Sequence, residues 1–320
     1  MTRWVPALAL AGCVAGSSPP PLATQLVVLN ESAPVTVDRF ELATADRASL
    51  IELDRFAFAY SLAVGPDQQL VMSTSPAPQA DEPAAAFSVL TRLDDGVFAH
   101  VFGDALADSW CFFPEWAPTG DTVWFVQSDA SMEPGESALT ALSLGTGEAE
   151  RFAGWATEPA VSSDGKVVYV AIDPDTADRR LHVLDPVSGQ DFQVWGPDLR
   201  DMGLPMFSPD GEFLYFLRLS LDPLDWMDAL AWLNPLVSTA VAHNGHDRPA
   251  DWWRIPVTGG EPEQVTFLGT IHYAGVVDPG GNWLFVATRE GVQQVDLRSG
   301  EATVILTDRS IRDVDVWDAQ

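Results

Sequence analysis

Two histidines and a carboxylate stand close together in the chain, as His243, His246 and Asp247. Imidazole and carboxylate groups at this spacing can bind Zn²⁺ or Mn²⁺. The Asn-Gly pair between the histidines is typical of a turn, and polar turn residues are usually solvated. We therefore predict no bound metal and no other cofactor. If a metal site exists, these three residues are its candidate ligands.

The motifs of the common enzyme classes are missing from the sequence. Gly135–Leu139 (GESAL) lacks the second glycine of the G-x-S-x-G nucleophile elbow. There is no P-loop, no dinucleotide-binding glycine motif, no H-E-x-x-H and no C-x-x-C. Cys111 has no basic neighbour in sequence to lower its pKa, so a buried structural thiol is predicted. We predict that the chain is not an enzyme; the alternative is a metal-dependent hydrolase or lyase.

A seven-residue phrase that occurs five times defines the elements that must position any site. Its copies end at residues 68, 120, 165, 211 and 281, and Pro205–Gly211 (PMFSPDG) and Pro159–Gly165 (PAVSSDG) are two of them. Each copy precedes an alternating apolar run, which together with the phrase indicates a β-hairpin. Two more strands around a glycine turn complete a four-stranded unit. Such repetition, with a period of about 45 residues, is typical of a β-propeller.

The two ends of the chain supply one further unit. Asp313–Trp317 is a final alternating strand with no later partner, and Gln25–Asp54 holds three strand-like runs with no first strand. Joining them completes a sheet and removes both open edges. We therefore predict an all-β fold over 25–320: a six-bladed β-propeller of four-stranded blades, the last closed by N- and C-terminal strands. Seven blades is the alternative, with a cryptic blade inside 219–250.

The repeat resembles the WD-like repeat of TolB-type β-propellers. The resemblance rests on the phrase P-x-[WF]-S-P-D-G and on Trp253–Thr266 (WRIPVTGGEPEQVT), and it covers about 25–317. It implies the propeller fold but no single function, because this repeat also occurs in peptidase-associated propellers, polysaccharide lyases and many envelope proteins. TolB has an additional α/β domain before its propeller. We expect no room for that domain here, so the partners of TolB are not carried over.

The N-terminus resembles the signal of bacterial lipoproteins. A basic Arg3 and a short apolar run precede the tetrad Leu10–Cys13 (LAGC), which resembles a lipobox. The resemblance implies a signal peptide at 1–12, acylation of Cys13, and a flexible tether over 13–24. The expected location is the cell envelope, at the periplasmic face of the outer membrane or the cell surface, with membrane contact through the lipid anchor only. An ordinary export signal and a mis-assigned start are the alternatives.

The charge balance is strongly acidic, with a formal net charge of −29. Such a surface repels nucleic acid and anionic membranes, so neither is an expected partner. Carboxylates spread over a solvated surface explain the charge through solubility, and capture of a cation or a basic partner is the functional interpretation.

One end of the predicted propeller gathers the connections between second and third strands and those between blades. The helical insertion at about 219–250 is the largest of these: a short amphipathic helix is predicted at Leu221–Leu233, and the insertion is interpreted as a lid or a docking element. Long connections on one face of a rigid scaffold are the usual binding arrangement. We predict a non-catalytic scaffold that binds a protein partner or a ligand there, with glycan binding as a further alternative. The candidate binding residues are Trp110, Glu158, Asp201, Trp226, Trp232, His272 and Arg312.

Overall fold

The computed structural model describes residues 25–32, 34–53, 56–76, 89–94, 97–100, 109–129, 132, 136–196, 202–219 and 249–317. The predicted signal peptide, Cys13 and its tether, and most of the 219–250 insertion lie outside these ranges. Within them, no helix has the length and apolar character that a membrane crossing needs.

The composite sheet, as we call it, contains strands from both ends of the described chain. Its strands are β1 (Gln25–Asn30), β2 (Thr36–Glu41), β3 (Arg47–Glu52) and β24 (Ile311–Val316). They are hydrogen-bonded in the order β24-β1-β2-β3, and all pairs are antiparallel. The last strand of the chain is therefore the first strand of this sheet, so the two ends hold each other.

Five further four-stranded sheets are continuous blades, each formed by consecutive strands. The first contains β4 (Phe56–Val64), β5 (Leu70–Pro76), β6 (Val89–Asp94) and β7 (Val97–His100). The second contains β8 (Ser109–Trp116), β9 (Thr122–Asp129), β10 (Ala138–Ser143) and β11 (Ala149–Gly154). The third contains β12 (Ala156–Val161), β13 (Val167–Ile172), β14 (Arg179–Asp185) and β15 (Gln190–Gln193). The fourth contains β16 (Met202–Phe207), β17 (Phe213–Leu219), β18 (Ala250–Pro256) and β19 (Glu263–Gln264). The fifth contains β20 (His272–Val277), β21 (Trp283–Thr288), β22 (Gly291–Asp296) and β23 (Ala302–Leu306).

The predicted set of six blades is thus corrected to five continuous blades and one composite closing sheet. The seven-blade alternative is wrong, because the strands of the described ranges form no further sheet. The stretch in which the seven-blade alternative places a cryptic blade separates β17 from β18, which pair directly with each other from Phe213 with Pro256 to Leu219 with Ala250. The insertion therefore joins two neighbouring strands of one blade.

The Asp-Gly turns of the repeated phrase have the chemistry that the sequence predicts. In two of these turns the serine hydroxyl donates a hydrogen bond to the aspartate two residues later. In the turn before β17, Ser208 Oγ donates to Asp210 Oδ1 at 2.5 Å. The following glycine has a left-handed backbone, with φ of 71° at Gly211 and 85° at Gly165. Glycine adopts this region without a steric penalty, so it ends the turn and starts the second strand.

The first strand of every sheet lies at the centre of the ring, and we call these the inner strands: β4, β8, β12, β16, β20 and β24. Each contacts the inner strand of the next sheet, and β24 contacts both β20 and β4, so the ring is closed. Large apolar side chains fill the space between neighbouring sheets, and Trp252, Phe125, Phe216 and Phe285 are fully buried there. Burial of each such side chain contributes about 1.5–3 kcal/mol.

Candidate functional site

Each inner strand contains at least one extra residue, a β-bulge, in its pairing with the neighbouring strand of its sheet, and β4 has a second one between Phe56 and Phe58. The register shifts lie between Ala59 and Ser61, Phe112 and Glu115, Thr157 and Ala160, Gly203 and Met206, His272 and Ala274, and opposite Leu29 and Asn30. The bulges lie at a similar level around the axis. We call the residues that they place on the channel the bulge ring: Tyr60, Phe113, Glu158, Leu204, Tyr273 and Arg312.

Three members of the bulge ring have a left-handed backbone, which is unusual for residues with a side chain. The φ angles are 51° at Phe113, 50° at Glu158 and 47° at Leu204. Each of these residues precedes a proline, which has no N–H to leave unpaired beside the channel. Because a left-handed non-glycine residue costs on the order of 1–2 kcal/mol, contacts elsewhere must hold these bulges in place.

Side chains of one inner strand bind the bulge of the next. Ser61 Oγ accepts a hydrogen bond from the Phe113 N–H at 3.1 Å, and Glu158 Oε2 accepts one from the Leu204 N–H at 2.6 Å. Both donors belong to bulge residues that the local sheet leaves unpaired. These bonds therefore stabilise the bulges and join neighbouring sheets at the channel wall.

Glu158 is the most enclosed charged member of the bulge ring, with 4% of its surface exposed. Its other carboxylate oxygen, Oε1, lies 2.5 Å from Nη2 of Arg179 on β14. Gly203 leaves room for this carboxylate, since a Cβ at that position would lie 2.8 Å from Oε2. Glu158 is thus held by an arginine of its own blade and by a backbone amide of the next blade.

Arg312 occupies the corresponding position on the closing strand. Its Nε lies 2.7 Å from Glu31 Oε2, and its guanidinium carbon lies 4.4 Å from the centre of the Tyr273 ring. An arginine that stacks on an aromatic ring and pairs with a carboxylate is held in one orientation. Arg312 therefore joins the composite sheet to the blade of β20 at the channel entrance.

The bulge ring borders a cavity of about 240 Å³ that all six inner strands line, which we call the channel cavity. The residues of the bulge ring lie in the first half or close to the middle of their strands. This is the end at which the connections between second and third strands and between sheets also lie, and we call it the loop-rich face. A second cavity, lined by the last residues of several inner strands, lies towards the opposite end.

Three carboxyl groups, the channel carboxylates, line the channel cavity beyond the bulge ring: Glu115, Asp313 and Asp315. Asp313 accepts hydrogen bonds from the Leu62 N–H at 2.8 Å and from its neighbour Val314 N–H at 2.8 Å. Asp315 accepts from the Val64 N–H at 2.7 Å in the same way. Because Leu62 and Val64 belong to β4, the two aspartates connect the closing strand to the first continuous blade.

The channel cavity raises the pKa of all three channel carboxylates. Burial is the main cause at each of them; it raises the pKa of Asp313 to about 7 and that of Asp315 to about 6, against the effect of the backbone N–H donors. At Glu115, burial and the charges of Asp315 and Asp313 raise the pKa well above its usual range. The cavity is therefore a place where carboxyl groups hold protons near neutral pH.

These shifts predict how stability depends on pH. In the folded protein the pKa of Asp313 is about 7 and that of Asp315 is about 6. In the unfolded chain both carboxyl groups lose their protons near pH 4. Between these values the folded state binds more protons, so the free energy of unfolding falls as pH rises, by a few kcal/mol in total. Urea unfolding at a series of pH values measures this slope.

The variant Asp313→Asn should flatten this pH dependence, because it removes one of the titrating groups. Asp164→Asn removes the same formal charge from an exposed turn where hydrogen bonds from Lys166 and Ser162 lower the pKa, so its slope should stay close to that of the parent protein. Equal slopes for the parent protein and Asp313→Asn would show that the shifted pKa is wrong.

Only some of the predicted site residues line the channel cavity. Glu158 and Arg312 line the channel cavity, but each is paired with another residue, Arg179 and Glu31 respectively, rather than with the other. Trp110 lies near the start of β8, where its ring packs 5.9 Å from that of Phe112. The sequence interpretation thus found two of the six positions in the bulge ring.

His272 is not placed to bind a ligand. It is 1% exposed; its Nε2 lies 2.9 Å from the Ala250 carbonyl oxygen, and Trp252 Nε1 donates to its Nδ1 at 3.3 Å. Burial lowers the pKa of its imidazole to about 4, so the ring is neutral. His272 therefore supports the packing of Trp252, which the sequence did not indicate.

Several candidates cannot be placed. Asp201, Trp226, Trp232, His243, His246 and Asp247 lie outside the described residues, and among the described ones no three His, Cys, Asp or Glu side chains form a group that could hold a metal ion. Cys111, in contrast, is described and buried, as predicted, and burial raises the pKa of its thiol to about 12. It is a structural thiol.

The sequence interpretation missed four members of the bulge ring and all three channel carboxylates. One signal was present: Phe113, Glu158 and Leu204 each stand immediately before the proline of a repeated phrase. A residue in register with the phrase occupies the same level in every inner strand. Asp313 and Asp315 alternate with apolar residues on β24, a period-two pattern that indicates a shared face.

Solved structures with the same architecture include two TolB proteins. TolB from Acinetobacter baumannii has a TM-score of 0.61 at 13% identity over 89% of this chain and 64% of its own. The putative TolB from Agrobacterium tumefaciens has a TM-score of 0.63 at 16% identity over 91% of both chains. The described chain has a TolB-like propeller fold. It spans less than two thirds of the Acinetobacter protein.

The same fold also occurs in an enzyme. An oligogalacturonate lyase in complex with manganese has a TM-score of 0.56 at 13% identity, over 88% of this chain and 73% of its own. Comparison with protein-family models and with curated proteins gave no match. At such low identities the likeness is one of fold, so function has to be argued from the residues of the channel.

Proposed function

We propose that this chain is a non-catalytic scaffold of the bacterial cell envelope that binds a protein partner or a ligand through its loop-rich face. The observation that carries the proposal is the channel cavity, whose entrance the bulge ring borders at the end where the long connections begin and finish. Concave sites with an apolar lining and a few fixed polar groups are the usual form of a binding site.

The aromatic members of the bulge ring support binding rather than a purely structural role. Tyr60 is 41% exposed, and its ring meets that of Phe112 edge-on at 5.6 Å between centroids. Phe113 and Tyr273 line the same cavity. Aromatic side chains are enriched at binding surfaces because they offer large contact areas with few rotatable bonds.

Location in the envelope rests on the N-terminal sequence. The tetrad that ends at Cys13 resembles a lipobox, and multiple acyl chains attach a soluble domain stably. In a bacterial host, Cys13→Ser should move the protein from the membrane fraction to the soluble fraction. Membrane retention of this variant, together with no incorporation of labelled fatty acid into the parent protein, would contradict lipid anchoring.

Capture from native envelopes tests the binding function. The protein is used as bait beside the double variant Tyr60→Ser/Tyr273→Ser and a deletion of 221–248, and bound proteins are quantified by mass spectrometry. Val187→Ser is the matched control, since Val187 is 96% exposed in a turn between third and fourth strands, away from the loop-rich face. A partner of this face should be lost from the bulge-ring variant and retained by the control. Equal capture by all proteins would contradict the proposal.

A further inference from the structure

Glu115 is a polar residue of the channel cavity whose side chain, unlike those of Asp313 and Asp315, does not connect neighbouring strands. Asp313 and Asp315 accept backbone N–H groups of β4 and β24. Glu115 lines the channel cavity and is partly exposed, and its carboxyl has no hydrogen-bond partner among the residues the structure describes. Since an enclosed polar group without a partner is costly, a ligand group that binds it would be favourable.

The charge of the cavity favours a cation. Its lining contains four acidic residues and a single basic one, Arg312. Glu158 is neutralised by Arg179, and Arg312 is occupied by Glu31 and the Tyr273 ring. The three channel carboxylates have no such cation beside them in the described lining. A positive charge would therefore be attracted to the deep part of the cavity.

The walls of the cavity favour a cation on an apolar stem rather than a bare ion. Beside the aromatic residues and the channel carboxylates, the lining includes Leu204, Met206 and Val276. Aromatic faces attract ammonium groups, and apolar walls bury methylene groups. A chain of a few carbon atoms that ends in an ammonium group combines both features.

We propose that the channel cavity binds a primary ammonium group on a short alkyl stem, with the charged end beside Glu115, Asp313 and Asp315 and the stem against the bulge ring. The source is either a free alkylamine or the lysine side chain of a peptide. This inference rests on the proposed function, since it assigns a ligand chemistry to the same face.

Binding of an ammonium group should release protons. Burial raises the pKa of all three channel carboxylates, and the charges of Asp315 and Asp313 raise that of Glu115 further; Asp313, with a pKa of about 7, is partly protonated at neutral pH. A bound positive charge favours the ionised forms. Affinity therefore rises with pH between about 6 and 8, where an alkylamine itself stays charged.

Isothermal titration calorimetry of the full chain with n-butylamine tests this inference. We expect saturable binding, a heat that changes with the ionisation enthalpy of the buffer, and no binding of the uncharged analogue n-butanol. Glu115→Gln, which keeps the size of the side chain, should weaken binding by about tenfold or more. Asp164→Asn, on an exposed turn, is the control and should bind as the parent protein does.

Equal affinity for butylamine and butanol, a heat independent of the buffer, or unchanged affinity in Glu115→Gln would each overturn the inference. The buffer dependence is measured on the parent protein, so it decides the question even if a variant fails to fold. A peptide with one lysine, compared with its Nε-acetylated form, separates the two sources: discrimination there assigns the site to a peptide, and binding of butylamine alone assigns it to a free amine.

The two proposals fail in different ways. If butylamine does not bind but Tyr60→Ser/Tyr273→Ser still loses an envelope partner, the ammonium site is wrong and the binding face stands. If butylamine binds with proton release but no partner depends on the bulge ring, the protein scaffold is wrong and the cavity is a site for a small amine.

Discussion

A chain that ends at Ser310 is expected to lose its cooperative fold. The missing strand, β24, supplies Ile311, Val314 and Val316, which are 0%, 3% and 4% exposed, and it pairs with β1 from Leu26 to Asn30. Each buried aliphatic side chain contributes about 1.5–3 kcal/mol, so the three together approach the 5–15 kcal/mol that stabilises a typical domain. Differential scanning calorimetry should show no cooperative transition at the temperature of the parent protein.

A chain that ends at Trp317 is the matched control for this truncation. It keeps β24 and the hydrogen bonds from Leu62 and Val64 to the two channel aspartates, and it should unfold as the full chain does. A peptide of residues 311–317, added to the shortened chain, should restore part of the transition because it supplies the strand that pairs with β1. If the chain that ends at Ser310 unfolds like the control, closure by the last strand does not hold the ring together.

The closing arrangement was predictable because it depends on patterns that are local in sequence. An alternating strand at 313–317 without a partner and three runs at 25–54 without a first strand can satisfy their edges only by pairing. The structure pairs β24 with β1 in that way, although the strand begins at Ile311. The number of continuous blades was also predictable, because each of them contains one copy of the turn phrase, whose glycines adopt a left-handed backbone.

The residues of the channel were less predictable because they depend on register between distant strands. Because inter-blade connections were expected to line the entrance, His272 was predicted to lie there. The residue that lines the cavity is the next one, Tyr273. A bulge shifts each side chain by one position, and no propensity scale marks where it occurs. The sequence did not predict the ion-pair partners of Glu158 and Arg312 for the same reason. Arg179 and Glu31 are distant from them in sequence and become their neighbours only in the folded chain.

The variant Arg179→Met is expected to destabilise the protein by about 3 kcal/mol. Glu158 is 4% exposed, and the variant would remove the guanidinium that faces its carboxylate while the hydrogen bond from the Leu204 N–H remains. The contact with Arg179 is made through Nη2, while the buried Nε has no partner among the described residues, so the pair is not bidentate. The main effect of Arg179 is thus to neutralise the enclosed Glu158 carboxylate. Urea unfolding of Arg179→Met measures how much this effect stabilises the protein.

Two further proteins make the interpretation specific. The double variant Glu158→Gln/Arg179→Met should recover part of the loss, because a neutral amide tolerates the enclosed position better than a carboxylate that has lost its arginine. Lys166→Met breaks the exposed ion pair with Asp164 and should cost about 1 kcal/mol or less. If Arg179→Met costs no more than Lys166→Met, the Glu158 carboxylate does not depend on its arginine. The left-handed bulge that it supports at Leu204 would then be held by the packing of the neighbouring sheets.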